Sequence, residues 1–211
     1  MKYKYVILDF DGTLADTAEG IYHTFTKVLT ILGKQVPDDL SAHIGPPLEY
    51  SYRLLAGDDA EKAIALHRQV FAEDEAYKMS RLYDGVEDML QKLAAAGCVL
   101  SVASSKYQPH ADSSIRYFHI EKYLCKVYGQ NEKRGFKQEV LRQLIADSGW
   151  QKDSCIMVGD TCYDVEGALA NGIDAMAVTY GFGQLRQLSR CGAKYMANSP
   201  RQVAEILLGE K

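Results

Sequence analysis

Tyr5-Val6-Ile7-Leu8-Asp9-Phe10-Asp11-Gly12-Thr13 is the stretch on which the fold turns. Four consecutive apolar residues read as a strand buried on both faces, and the polarity changes abruptly at Asp9. Side chains on a strand alternate, so Asp9 and Asp11 leave its carboxyl end on the same side. Two carboxylates held that close repel one another unless a cation relieves them. Oxygen-only ligands suit a hard dication, and the pair therefore marks a site for a metal ion beside a phosphoryl group. Gly12 permits a tight turn, which brings the Asp11 carbonyl toward the same ion.

Two further apolar runs end in polar residues of matching chemistry. Val99-Leu100-Ser101-Val102-Ala103 leads into Ser104-Ser105-Lys106, and Cys155-Ile156-Met157-Val158 leads into Gly159-Asp160, with Asp164 one helical turn later. If a helix starts near 161, Asp160 and Asp164 stack at its N-terminal end. The order Asp-x-Asp, Ser, Lys, Gly-Asp-x-x-x-Asp resembles the haloacid dehalogenase superfamily, specifically its phosphatase branch, over essentially the whole chain. Alternation of strands and helices after residue 82 independently predicts a doubly wound parallel α/β sheet. Ligands of such a sheet bind at the carboxyl ends of its strands.

Residues 16–80 read differently, as helices without a convincing strand. Thr17 is placed to cap the first helix, with Ile21, Phe25, Val28, Leu29 and Leu32 on its buried face and Gly33 as its stop. Pro37 and Gly45-Pro46-Pro47 interrupt the region, and Leu48–Leu55 and Asp59–Tyr77 supply two more helices. The acidic run Glu73-Asp74-Glu75 is read as a solvated face. The resemblance implies a small all-helical cap domain over residues 16–81 inserted into a Rossmann-like core of residues 1–15 and 82–211. Its hinges fall near 14–17 and 80–84.

Composition limits the partners. The chain of 211 residues has a formal net charge of −4 and no basic stripe, which argues against a nucleic-acid polymer. No apolar run approaches membrane-spanning length, and the residues before Asp9 are too few for a secretory leader. Five cysteines at 98, 125, 155, 162 and 191 form no C-x-x-C pair, so a reducing, cytoplasmic location is expected and Cys162 is read as incidental. Nothing in the sequence sets the oligomeric state, and a monomer is compatible with it.

The resemblance assigns roles residue by residue. Asp9 is the nucleophile, Asp11 the general acid and base, Ser104 and a lysine the phosphoryl ligands. Mg²⁺ is held by Asp9, the Asp11 carbonyl and Asp160, with Asp164 in support. Gly12, Thr13 and Ser105 are expected near the phosphate. Relatives more often have Thr where this chain has Ser104, and Asn where it has Ser105. Two lysines compete for the remaining role. The buried face of Val140, Leu141, Leu144 and Ile145 turns Lys137 inward, whereas Lys133 falls in the preceding loop. Lys106 is read either as a phosphate or cap contact or as a solvated lysine.

Sister chemistries fit less well. Dehalogenases of this fold lack a counterpart of Asp11, and phosphonate hydrolases carry a small residue there. The hexose-phosphate mutases have Val at the position of Thr13 and a cap histidine at that of Ile21, with His23 out of register. The resemblance therefore implies a Mg²⁺-dependent phosphatase for a small phosphorylated metabolite, similar to phosphoglycolate phosphatases, with 5′-nucleotidases as the alternative. A phosphate-binding regulator would not need the nucleophile beside the acid/base. In the cap, Gly45, Pro46 and Arg53 are candidates to contact the substrate, Arg53 through a carboxylate. Tyr22, Tyr50 and Tyr52 are candidates to stack on a base.

Overall fold

The computed structural model describes residues 2–210. Its centre is β1 (Tyr5–Leu8), whose residues are buried almost without exception. Val6 and Leu8 point into one apolar layer and Ile7 into the other, which is why the run is continuous and not alternating.

The chain leaves β1 through a short strand, β2 (Ala15–Asp16), and runs through α1 (Ala18–Ile31), α2 (Leu48–Ala56) and α3 (Ala60–Glu73). It returns by β3 (Arg81–Leu82). The core then follows in order: α4 (Val86–Ala95), β4 (Val99–Tyr107), α5 (Gln108–Tyr117), β5 (Leu124–Gln130), α6 (Lys137–Ser148) and β6 (Cys155–Gly159). It closes with α7 (Cys162–Ala170), β7 (Asp174–Val178), α8 (Leu185–Leu188), β8 (Tyr195–Ala197) and α9 (Pro200–Leu208). The six-stranded sheet has the order β5-β4-β1-β6-β7-β8 and every pairing in it is parallel. The strand order reverses beside β1, and at that switch point the carboxyl ends of β1, β4 and β6 open onto one crevice.

Several expectations are refined. β2 and β3 pair antiparallel, Ala15 with Leu82 and Asp16 with Arg81, at the two borders of the region read as strand-free. Two residues are too short to register as a periodic pattern. Thr17 occupies the position before α1, yet its side chain makes no capping bond. Asp16 accepts from the Ala18 amide instead, at 3.3 Å. β4 extends past Ala103 to Tyr107, so Ser104, Ser105 and Lys106 lie on its irregular final stretch. β8 was not foreseen. Cys162 is not incidental: it is bonded to Cys191, 29 residues away, so the cysteine count no longer argues for a reducing compartment. Spacing gave no hint, because the two meet only once β7 and α8 have formed.

The helical insertion carries its own apolar cluster around Phe25, Val28, Leu29, Tyr52, Ala63 and Val70. Phe25 is fully buried against Tyr52, His67 and His43. Phe25→Ala should lower the free energy of unfolding in urea by about 3–5 kcal/mol, the cost of removing a buried phenyl ring. A loss below about 1 kcal/mol would mean that this cluster is not a packed core.

Candidate active site

The ends of β1, β4 and β6 place charged groups where a solvated surface would otherwise be expected. Asp9 follows β1 directly and continues its ladder, its amide donating to the Val158 carbonyl at 2.9 Å. Its side chain is almost wholly buried, and its Oδ1 accepts from the Phe10 amide at 2.7 Å. Lys137 opens α6 and stands 2.7 Å from the same oxygen and 2.8 Å from Oδ1 of Asp164. Its third partner is the Ala103 carbonyl of β4, just before that strand's irregular final stretch, 2.9 Å away. Of the two competing lysines, Lys137 is the one buried beside Asp9, whereas Lys133 is exposed in the loop after β5.

Asp160 is fully buried. Thr13 Oγ1 donates to one of its oxygens at 3.3 Å and the Phe182 amide to the other at 2.7 Å. Asp164 folds back to its own helix N-terminus, accepting from the Thr161 amide at 3.0 Å and hydroxyl at 2.8 Å. Gly12 has φ +78°, and a Cβ there would lie 2.1 Å from Asp160 Oδ2. Only glycine allows the turn after β1 and this approach together. Gly12 and Thr13 therefore serve to set Asp160, and the structure does not place them on the lining of the cavity described next.

Asp9 and Asp11 both open into a cavity of about 50 Å³ between core and helical insertion. Ser104, Ser105, Lys106, Tyr107 and His110 line it from the core, and Phe25, His43, Gly45, Pro46, His67 and Phe71 from the cap. Ser104 is buried, and its Oγ accepts from the Lys106 amide at 3.2 Å. Lys106 is no solvated lysine: its ammonium lies 3.0 Å from Asp11 Oδ1 and 4.9 Å from the centre of the Phe71 ring. Glu49 of α2 meets Gln130 at the end of β5, 2.7 Å away, tying the insertion to the core beside this cavity.

Not every cap expectation survives. Arg53 projects from α2 into solvent and does not line the cavity. Tyr52 is buried inside the insertion, where its hydroxyl bonds His67 Nδ1 at 2.8 Å, and Tyr50 is largely exposed. Tyr22 lies along a separate groove with Asp16 and Arg81. A step of one residue, about 100° around α2, separates the exposed Arg53 from the buried Tyr52, and the spacing from Gly45-Pro46 did not resolve which was which. His43, His67, Phe71 and His110 were missed. His110 was the most accessible to reasoning, because the first turn of a helix that follows a central strand lies at the ligand-binding edge.

Electrostatics shows what the acids lack. Carboxylate oxygens of Asp9, Asp160 and Asp164 lie within 4.8 Å of one another, whereas Asp11 turns its carboxylate to Lys106. Burial pushes the Asp9 carboxyl well above the ordinary range; Lys137 opposes this, and the neighbouring acids add to it. Burial and Asp164 raise Asp160 to about 7, against the Phe182 amide and Lys137. For Lys137, burial works against the ammonium, but Asp164 and Asp9 overcome it and its pKa is raised. Three buried acids around one lysine leave an excess of negative charge that a hard dication would relieve. The all-oxygen set fits such an ion, with Asp9 and Asp160 as direct ligands. Asp164 already has both oxygens engaged by Lys137 and Thr161.

The model of the haloacid dehalogenase-like hydrolases matches residues 6–178. The chain belongs to that family. It is 33% identical over 195 residues to a 5′-nucleotidase of Pseudomonas aeruginosa, covering 89% of this chain and 88% of that one. It is 39% identical over 184 residues to the tyrosine-protein kinase PtkA of Mycobacterium tuberculosis, covering 85% of this chain but spanning only 63% of that protein. A crystal structure described as a predicted phosphatase from Clostridium acetobutylicum superposes with a TM-score of 0.92 at 33% identity, over 99% of this chain and all of the other.

The acid cluster makes a prediction for the metal-free protein. A carboxyl whose pKa folding raises contributes stability fully present below its unfolded value near 4, and lost as pH climbs through the folded value. Asp9 and Asp160 both fall in this class, so the strain grows between about pH 5 and pH 8. Millimolar Mg²⁺ should therefore raise Tm by several degrees near pH 8 and by clearly less near pH 5.5, relative to chelator. Thermal scans at the two pH values check this, and equal shifts would count against a cation at these acids.

Proposed function

We propose that the chain is a Mg²⁺-dependent phosphatase that hydrolyses small phosphate monoesters through an aspartyl-phosphate on Asp9, in the manner of phosphoglycolate phosphatases. The observation that carries this reading is Asp9 itself: a buried carboxylate pinned through Oδ1 by Lys137 and the Phe10 amide, facing a covered cavity beside Asp11. A site for phosphate binding alone has no use for an oriented nucleophile next to an acid/base.

In the first step a free oxygen of Asp9 attacks phosphorus. A new P–O bond forms as the bond to the leaving oxygen breaks, and Asp11 supplies the proton that makes the departing group an alcohol. Ser104 donates to a phosphoryl oxygen, while Lys137, its three donors spent on Asp9, Asp164 and the Ala103 carbonyl, orients Asp9 and offsets the negative charge beside it. In the second step Asp11, now a base, takes a proton from water as that water attacks phosphorus. The bond to Asp9 breaks and phosphate is released. Mg²⁺ at Asp9, the Asp11 carbonyl and Asp160 would neutralise charge building on the phosphoryl oxygens. The helical region 16–81 serves as a cap hinged at β2 and β3, excluding water from the ester.

The cavity favours small leaving groups. At about 50 Å³ it is narrow, which supports a small ester over a nucleoside monophosphate. The identity to a 5′-nucleotidase keeps nucleoside monophosphates as the second reading. Phosphate release from a panel of metabolite esters, with phosphoglycolate and nucleoside monophosphates side by side, discriminates the two. Transfer of labelled phosphate from ATP to a tyrosine peptide, in place of release to water, would overturn the hydrolase assignment.

Asp9→Asn should reduce Mg²⁺-dependent turnover by at least about a thousandfold while the protein stays folded, since a carboxamide forms no acyl-phosphate. Turnover near that of the wild type, or full activity in excess chelator, would rule out this chemistry.

A further inference from the structure

Among the described residues lining the covered cavity, Lys106 is the one lysine or arginine. Its side chain is only 7% exposed. Lys137 is committed to Asp9, Asp164 and the Ala103 carbonyl and does not line the cavity, whereas Lys106 does and stands 3.0 Å from Asp11 Oδ1. Asp11 is the group that hands its proton to the leaving oxygen, so a cation at Asp11 faces whatever that oxygen carries.

The remaining wall offers no competing charge. Ile21, Phe25, Leu48 and Phe71 are apolar. Burial lowers all three lining histidines below their ordinary range, His67 well below it and His110 to about 4. His67 is tied to Tyr52, and His110 to the Arg68 carbonyl at 3.0 Å. Phe71, a cap residue, lies under the Lys106 ammonium and stacks on His110 at 4.2 Å between ring centres. The lysine is thus positioned by an aromatic face while its charge remains directed into the cavity. Arg53, the cation expected to play this part, points into solvent.

We propose that Lys106 selects the leaving group: an anionic oxygen, of a carboxylate or a second phosphoryl group carried one or two bonds beyond the ester oxygen, pairs with its ammonium. The inference rests on the phosphatase reading and names its substrate class, namely small esters or anhydrides of phosphate that bear a second negative group. Lys106 takes no part in bond making. It places the leaving group against Asp11, and a neutral leaving group forgoes that contact.

The test uses the purified full chain with Mg²⁺ and three substrates: phosphoglycolate, pyrophosphate, and ethyl phosphate, which resembles phosphoglycolate in size but carries no second charge. Wild type should prefer at least one anionic substrate over ethyl phosphate in kcat/KM by about 10- to 100-fold, the range of a charge-assisted hydrogen bond. Whichever it prefers identifies the anion. Lys106→Met should collapse that ratio to within about threefold of unity, and Lys106→Arg should retain most of it. Lys106→Gln serves as the second neutral variant should Met impair folding. Wild-type turnover of all three without preference overturns the assignment and leaves the phosphatase reading intact. An equal fall for all substrates, with the ratio unchanged, also overturns it, because the lysine would then act through Asp11 alone. Release from none of the three while a nucleoside monophosphate is hydrolysed overturns the assignment alone; release from neither these nor the wider metabolite panel overturns the phosphatase reading with it.

Discussion

One ammonium group holds the acidic edge of the sheet together. Lys137 Nζ reaches Asp9 after β1, the Ala103 carbonyl of β4, and Asp164 in the first turn of α7, each within 2.9 Å. These partners come from three separate stretches of chain, so a buried cation at that point fixes the mutual position of two strand ends and a helix start. Its removal would leave two buried carboxylates facing each other without compensation, a far larger penalty than the pair contributes when intact. The turn at Gly12, the seat of Asp160 and the direction of Asp9 are all consistent with this arrangement and with little else.

The same interaction explains why α6 begins where it does. Its buried face of Val140, Leu141, Leu144 and Ile145 fixes the helix rotation, and Lys137 lies on that face one turn earlier. An aliphatic stem packed among apolar side chains delivers a charge to the sheet edge without exposing it. Gly167 of α7 comes within contact of that stem: a Cβ there would lie 3.0 Å from the Lys137 Cγ. The two helices therefore approach closely because one residue between them has no side chain.

How much was legible in the sequence follows from which forces write periodic patterns. β1, β4 and β6 are buried on both faces, so their apolar runs stand out, and the acids that end them are conspicuous by contrast. Lys137 could be chosen over Lys133 because helical spacing reports burial. The cap was a different case. Which of Tyr50, Tyr52 and Arg53 faces inward depends on the rotation of α2, a helix of nine residues whose start is set by Pro47 and whose partners are distant in sequence. The contacts of Phe71 with His110 and with Lys106 join α3, α5 and the end of β4 across the seam between insertion and core, and no local pattern encodes such a meeting. The ribbon of β2 and β3 and the Cys162–Cys191 bond escaped for related reasons, the first by brevity and the second by distance.

The β2–β3 ribbon has a consequence for how such a chain can change. The outgoing and returning segments are paired side by side, Ala15 against Leu82, so the sheet meets the long excursion as though it were a tight connection. Strand register between β1 and β4 is then independent of what lies beyond the ribbon. The entropy of closing a loop rises only with the logarithm of its length, so a longer or shorter excursion costs the sheet little. The residues that make the chemistry and the residues that roof it are thereby free to diverge at different rates, and one sheet can be re-roofed for a new substrate without rebuilding its catalytic edge.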